Sequence, residues 1–190
     1  MKGAWLFVIG AVCGASIIAA PRVAAHLHSA LRAAHGGQSR PGDTRAHTEE
    51  RFAFIANAPM DQVVPLFGAD KERVWAPKWN PQFVYPIPIA DKEGMVFTVA
   101  HDHLRATWVN TQFDEKNGRI QYVYVIPDAL VTVINLKLTP QGPQTKVEVE
   151  YERTALSPEA DAHVRHMAEG DRTSGPDWEK WVNGYLEGRK

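Results

Sequence analysis

The sequence predicts an α+β domain, an antiparallel sheet closed by a Trp-rich C-terminal helix, over residues 51–190. Two observations carry this. Between residues 95 and 156, apolar-alternating runs follow one another across short turn-forming links, the pattern of a β-meander. Near the end, Trp178, Trp181, Val182, Tyr185 and Leu186 fall at i, i+3, i+4, i+7 and i+8, one broad apolar stripe on a helix that needs a sheet to cover. A chain of 190 residues is long enough for one domain with a sizeable core.

Taken in order, residues 51–56 (RFAFIA) read as a first strand ended by Asn57 and Pro59. Residues 59–67 suit a short helical segment interrupted at Pro65 and stopped at Gly68. In residues 75–88, Pro77, Pro81, Pro86 and Pro88 exclude a helix and leave loop or edge strand. Strands are expected over 95–101, 105–113, 119–126, 130–139 and 145–156. Their links carry turn residues, among them Lys116-Asn117-Gly118, Pro127-Asp128 and Gln141-Gly142. Sequential short links give antiparallel neighbours.

The last strand alternates most clearly, with Val147, Val149 and Tyr151 on one face and Lys146, Glu148, Glu150 and Glu152 on the other. One face of the sheet is therefore wet. Ile120, Tyr122, Tyr124 and Ile126, and likewise Thr132, Ile134, Leu136 and Leu138, build the opposite face. Ser157 with Pro158 predicts a helix start, and Ala160, Val164, Met167 and Ala168 recur at helical spacing. Residues 170–176, with three glycines or prolines, are expected to break this helix from the Trp-bearing one, which Gly188 caps.

Composition is that of a globular protein, 44% hydrophobic and 23% charged. Residues 1–47 carry Lys2, Arg22, Arg32, Arg40 and Arg45 against Asp43, a balance of +4, so the remainder holds −5 of the net −1. A mildly acidic folded part argues against a nucleic-acid groove. Cys13 is the sole cysteine, which excludes an intramolecular disulfide and a thiolate metal site.

Residues 4–20 (AWLFVIGAVCGASIIAA) carry no charge, a stretch slightly short for a spanning helix and slightly long for a signal-peptide core. The division expected is a hydrophobic anchor or signal at 1–25, a linker at 26–50 and the domain at 51–190. A retained single-pass anchor is favoured over a cleaved signal, and a misassigned start is the third alternative. The positive charges after the run outnumber those before it, which by the positive-inside rule would hold the domain in the cytoplasm; the side of the membrane stays open. His26, His28, His35 and His47 are irregularly spaced and without carboxylate or Cys partners, as in a solvated linker.

The order of elements and particular residues resemble the START-like superfamily, also called SRPBCC, whose members include polyketide cyclases and lipid-transport proteins. The residues concerned are Ala58-Pro59-Met60-Asp61-Gln62-Val63, Pro65-Leu66-Phe67, Trp75-Ala76-Pro77-Lys78-Trp79-Asn80-Pro81, Gly94-Met95-Val96-Phe97, Thr154-Ala155-Leu156-Ser157, and Trp178 through Leu186. The resemblance covers residues 51–188. It implies a helix-grip fold whose sheet curls round the C-terminal helix and encloses a hydrophobic pocket. Fold alone does not license a function.

In that frame Trp75 and Trp79 lie near the pocket mouth, where they cap an apolar ligand or plug the end of the core. Tyr122 and Tyr124 share a face, where their hydroxyls either orient a ligand or are satisfied within the core. With Trp108, Trp178 and Trp181 these make the candidate ligand-binding set; no catalytic residue, cofactor or metal is nominated. His101 and His103 flank Asp102 at a hairpin, a surface turn by this reading and a two-ligand metal site at most. His163 and His166 share a helix face with charged neighbours and read as solvated. The function expected is binding of a hydrophobic or lipid-like molecule by a membrane-tethered or exported domain. The alternatives are a cyclase or dehydratase-type enzyme and an envelope or stress-associated interaction module.

Overall fold

The computed structural model describes residues 44–101 and 104–188. The anchor or signal at 4–20 and the linker histidines His26, His28 and His35 lie outside the described residues, as does His103.

Seven strands form one antiparallel sheet in the order β1-β7-β6-β5-β4-β3-β2. They are β1 (His47–Ala56), β2 (Gln82–Tyr85), β3 (Val96–His101), β4 (Leu104–Asp114), β5 (Arg119–Ile126), β6 (Leu130–Gln141) and β7 (Gln144–Ala155). Strands β2 to β7 follow one another as a meander, and β1 returns to pair with β7, from His47 opposite Thr154 to Ala56 opposite Thr145. The first strand thus begins four residues before the expected 51. Residues 47–50 are charged or polar, so composition hid a strand whose partner is Tyr151–Thr154 on β7.

Helix α1 (Met60–Val63) and a 3₁₀ turn (Val64–Phe67) fill the first link, and a second 3₁₀ turn (Lys71–Val74) leads into the Trp-rich loop. The loop ends in β2, an edge strand, as the prolines require. The turn at Gly118 needs a glycine: φ is +61° there, and a Cβ would stand 2.5 Å from the Leu138 carbonyl oxygen.

Alternation along β7 follows expectation, with Val147, Val149 and Tyr151 buried, and one further residue joins that face: Arg153, 1% exposed. Helices α2 (Asp161–Thr173) and α3 (Gly175–Leu186) cover the sheet, α2 against β1 and β7 and α3 against β1. Two expectations at this end are corrected. Ser157 makes no side-chain cap; a 3₁₀ turn (Pro158–Ala160) precedes α2 instead. The break expected across 170–176 narrows to Ser174, because Asp171 and Arg172 are held by tertiary ion pairs to Arg153 and Glu50, which offset the weak helix propensity of Gly170. Gly188, at φ +72°, donates its N–H to the Tyr185 carbonyl and ends α3 as expected.

Candidate functional site

Two aromatic clusters occupy the space between sheet and helices. The first centres on Trp178 of α3, fully buried, whose ring meets Phe52 at 5.1 Å, Trp75 at 5.6 Å and Phe67 at 6.2 Å between centroids. The second centres on Trp108 of β4, also fully buried, which stacks on Tyr124 at 4.3 Å and Phe97 at 5.6 Å and meets Trp79 edge-on at 5.7 Å. Tyr122 joins the two, its ring against Trp108 and its hydroxyl donating to the Phe67 carbonyl at 2.9 Å.

Of the seven candidate ligand-binding residues, Trp75, Trp79, Trp108, Tyr122, Tyr124 and Trp178 therefore sit within these clusters, each 6% exposed or less. Trp75 also reaches, with Trp181, a groove between the second 3₁₀ turn and α3. That groove has a volume of about 800 Å³, is open to solvent, and is lined by Arg73, Val74, Trp75, Lys180, Trp181 and Tyr185. Trp75 forms its floor; the indole N–H donates to the Leu66 carbonyl at 2.6 Å, and Phe67 and Trp178 lie behind the ring. The exposed Arg73 holds the rim, donating to Asp70 and to the Pro81 carbonyl and lying 4.8 Å over the Phe83 ring. It thereby ties the 3₁₀ turn to the far end of the Trp loop.

Sequence reasoning passed over two buried polar groupings. In the first, the Arg153 guanidinium pairs with Asp171 and donates to the Tyr124 hydroxyl and, at 3.0 Å, to Thr132. It also lies 4.5 Å from the Tyr151 ring centroid. Burial works against the Arg153 charge, but Tyr124 and Asp171 outweigh it and raise its pKa above the usual range. The grouping is fully satisfied, so it reads as a strap between sheet and helix. His101 stacks near it, 6.0 Å from Tyr124, and is 7% exposed; the surface turn expected for it is corrected, since its strand position turns the ring inward. His163 and His166 are exposed, as expected. Among the described residues no group of three His, Cys, Asp or Glu is placed to hold a metal ion.

The second grouping is not satisfied. Glu72, in the second 3₁₀ turn, is 1% exposed, and neither carboxyl oxygen has a hydrogen-bond partner. The same holds for Trp108 Nε1, whereas Asn110, fully buried like Trp108, interacts with the Tyr122 hydroxyl. Trp108 and Asn110 lie two apart on the inward face of β4, and Asn110 is paired across the ladder with Tyr122. Burial first, then Asp91, raises the Glu72 pKa well above the carboxylate range. The Tyr122 hydroxyl is likewise pushed well up, by burial and then by Glu72 and Asp91, which places Glu72 within electrostatic reach of it. Asp91 itself is engaged, accepting the backbone N–H of Asp70 at 2.9 Å and of Lys71 at 3.3 Å, and so fixes the turn from which Glu72 projects. An orphaned buried group costs about 1–3 kcal/mol, and native folds carry few.

The charge run Asp70-Lys71-Glu72-Arg73 hid Glu72, since such a run reads as solvated. Asn110 was legible in principle, because it extends the inward alternation of Ala106 and Trp108.

No family model matches the chain, and no curated protein matches it. Solved structures do. Norcoclaurine synthase from Thalictrum flavum, in complex with dopamine and hydroxybenzaldehyde, aligns with a TM-score of 0.58 at 11% identity over 81% of this chain and 95% of that one. A Thermobifida fusca protein aligns at 0.54 and 18% identity over 73% and 95%. Ara h 8.0201 aligns at 0.52 and 15% over 75% and 99%. At these identities the likeness is one of fold: the chain shares the fold of these proteins, in the helix-grip arrangement that its sequence implied.

Proposed function

We propose that the domain binds a hydrophobic small molecule, received in the groove between the second 3₁₀ turn and α3. What carries the reading is the groove itself: about 800 Å³, within the range of small-molecule sites, with Trp75, Trp181 and Tyr185 supplying apolar faces. The fold adds support, since one protein that shares it, norcoclaurine synthase, has been solved with two small aromatic molecules bound. Residues 4–20 would tether the domain to a membrane, close to a source of apolar ligands.

Native mass spectrometry of the purified domain, with organic extraction of whatever it carries, tests the reading, together with displacement of a fluorescent fatty-acid probe. Retained apolar compounds and a saturable probe signal that weakens in Trp181→Ala are expected. A domain that emerges empty and ignores the probe would end it. Fractionating the full chain with and without residues 1–25 tests the tether: loss of membrane association on truncation is expected, and equal partitioning would refute it.

A further inference from the structure

The outward face of the sheet is charged along β7 but apolar across its middle. Strand register arranges that middle in two rows. One runs Val96, Val109, Val123 and Val133 from β3 to β6 and ends at Glu152 on β7. The next runs Thr98, Thr107, Val125 and Val131 and ends at Thr154, beside His47 of β1. Every valine in these rows is half-buried, whereas Tyr122, Tyr124, Thr132 and Ile134, which alternate with them on the helix side, are 1% exposed or less. Thr98 accepts a hydrogen bond from Arg105 at 3.0 Å and the Thr154 hydroxyl meets His47 Nδ1 at 2.9 Å, which leaves their methyl groups as the unengaged part of each side chain. With strands about 4.8 Å apart and rows about 6.8 Å apart, the patch covers about 330 Å². A contiguous apolar patch of that size on a soluble surface calls for a partner.

The chemistry of the face selects the partner. Short β-branched side chains ranked on a pleated surface interdigitate with a second face of the same kind at a sheet separation of about 10 Å. A bilayer fits poorly, because surfaces that enter a membrane interface carry long apolar and aromatic side chains among Lys and Arg, and this face has valine and threonine beside the Glu152 carboxylate.

A second copy of the chain brings the same face, and the flanks suit it. Arg105 on β4 stands at one side, and Glu152 on β7 with Glu49 on β1 at the other. A two-fold axis along β5, the middle strand of the five, lays the β3–β4 side of each copy over the β6–β7 side of the other, so that unlike charges face one another. The area agrees as well. A stable dimer buries about 800 Å² on each partner, an apolar centre within a polar rim. The valine rows supply the centre. Thr111, Gln121, Asn135 and Glu152, joined side chain to side chain in that order, supply rim along one border.

We infer that two copies of the chain meet through this face, sheet against sheet, with Val123 and Val125 of each lying at the two-fold axis. The groove at α3 is on the helix side of the sheet and stays open in the pair, so the dimer and the binding of a small molecule stand or fall separately.

The test uses the full chain in mild detergent. In a Cys13→Ser background, Val123→Cys is expected to be joined into dimers by a short bismaleimide at least about tenfold faster than Lys116→Cys, in the exposed turn after β4, because within a dimer the second reaction is intramolecular. In sedimentation, Val125→Thr with Val133→Thr keeps the β-branched shape but buries hydroxyls at the interface, and should raise the dimer Kd at least about tenfold. Val133→Lys should leave single chains with the circular dichroism of the wild type; if it does not fold, the threonine pair and the cross-link decide. A wild type that sediments as single chains, or equal cross-linking of the two cysteine variants, overturns the dimer. A dimer unmoved by Val133→Lys is held by another surface and overturns it too. So does a Val123→Cys chain that reacts with a monomaleimide only after residues 1–25 are removed, since the chain's own apolar segment is then the cover.

Discussion

Arg153 of β7 grips Asp171 of α2 through two parallel hydrogen bonds, Nε to Oδ2 at 2.7 Å and Nη2 to Oδ1 at 2.9 Å, with side-chain exposures of 1% and 4%. Breaking a buried pair from one side strands the other charge, which costs about 3–5 kcal/mol. Asp171→Ala should lose stability on that scale by urea denaturation, seen as a lower midpoint at unchanged slope. The double variant Arg153→Met with Asp171→Leu should recover part of the loss, because nothing charged is then left buried. A double variant as unstable as the sum of the singles would show that the pair does not act as a unit.

Glu72 makes stability depend on pH. Burial holds its pKa in the folded chain well above the ordinary glutamate value of 4.5, so between the two values the unfolded chain has given up a proton that the fold retains. Stability contributed by the neutral carboxyl is present below about pH 4.5 and is lost as pH rises toward the folded-state value. The melting temperature of Glu72→Met minus that of the wild type should therefore grow as pH is raised from 4.5 to 8. A difference that is flat across this range would mean that Glu72 ionises normally in the fold.

Trp181 is half-buried at the rim of the groove, whereas Trp178 is fully buried beneath α3. Trp181→Ala should weaken fatty-probe binding about tenfold with a stability change of about 1 kcal/mol or less. Trp178→Ala should cost about 3–5 kcal/mol, the usual range for removing a fully buried large aromatic residue. The two variants separate binding from packing: equal loss of stability in both would contradict the placement of Trp181 at the rim.

Gly118→Ala should destabilise the domain by at least about 2 kcal/mol, since alanine pays for a positive φ and its Cβ would overlap the Leu138 carbonyl oxygen, whose residue also donates its N–H to Gly118. Thermal melts compared with Gly142→Ala, where the φ is also +61° but no atom lies within 4 Å of the new Cβ, isolate the steric part. Equal losses at the two glycines would assign the whole effect to backbone conformation.

How far the sequence led can be read from β7. Val147, Val149 and Tyr151 announce a strand and its buried face, and the rule that apolar residues turn inward is enough to find them. Arg153 occupies the next inward position, yet the same rule sends a charge outward; only Asp171, 18 residues on and in another element, makes its burial tolerable. Glu72 was illegible for the same reason, since its burial is set by Asp91 fixing the turn from the far side of the Trp loop. The fold follows from local periodicity, which a sequence displays. The candidate site consists of local exceptions, which only tertiary partners reveal.

At the other end of the sheet, β2 leaves Val84 and Tyr85 exposed, with Ile87 and Ile89 just beyond. A long strand of that composition would be a template on which a second copy could add its own strand and begin to aggregate. Pro86 and Pro88 intervene directly after Tyr85, and a proline presents no N–H for a foreign strand to pair with. The rim of this domain can therefore stay apolar while its backbone offers a newcomer only four residues of edge.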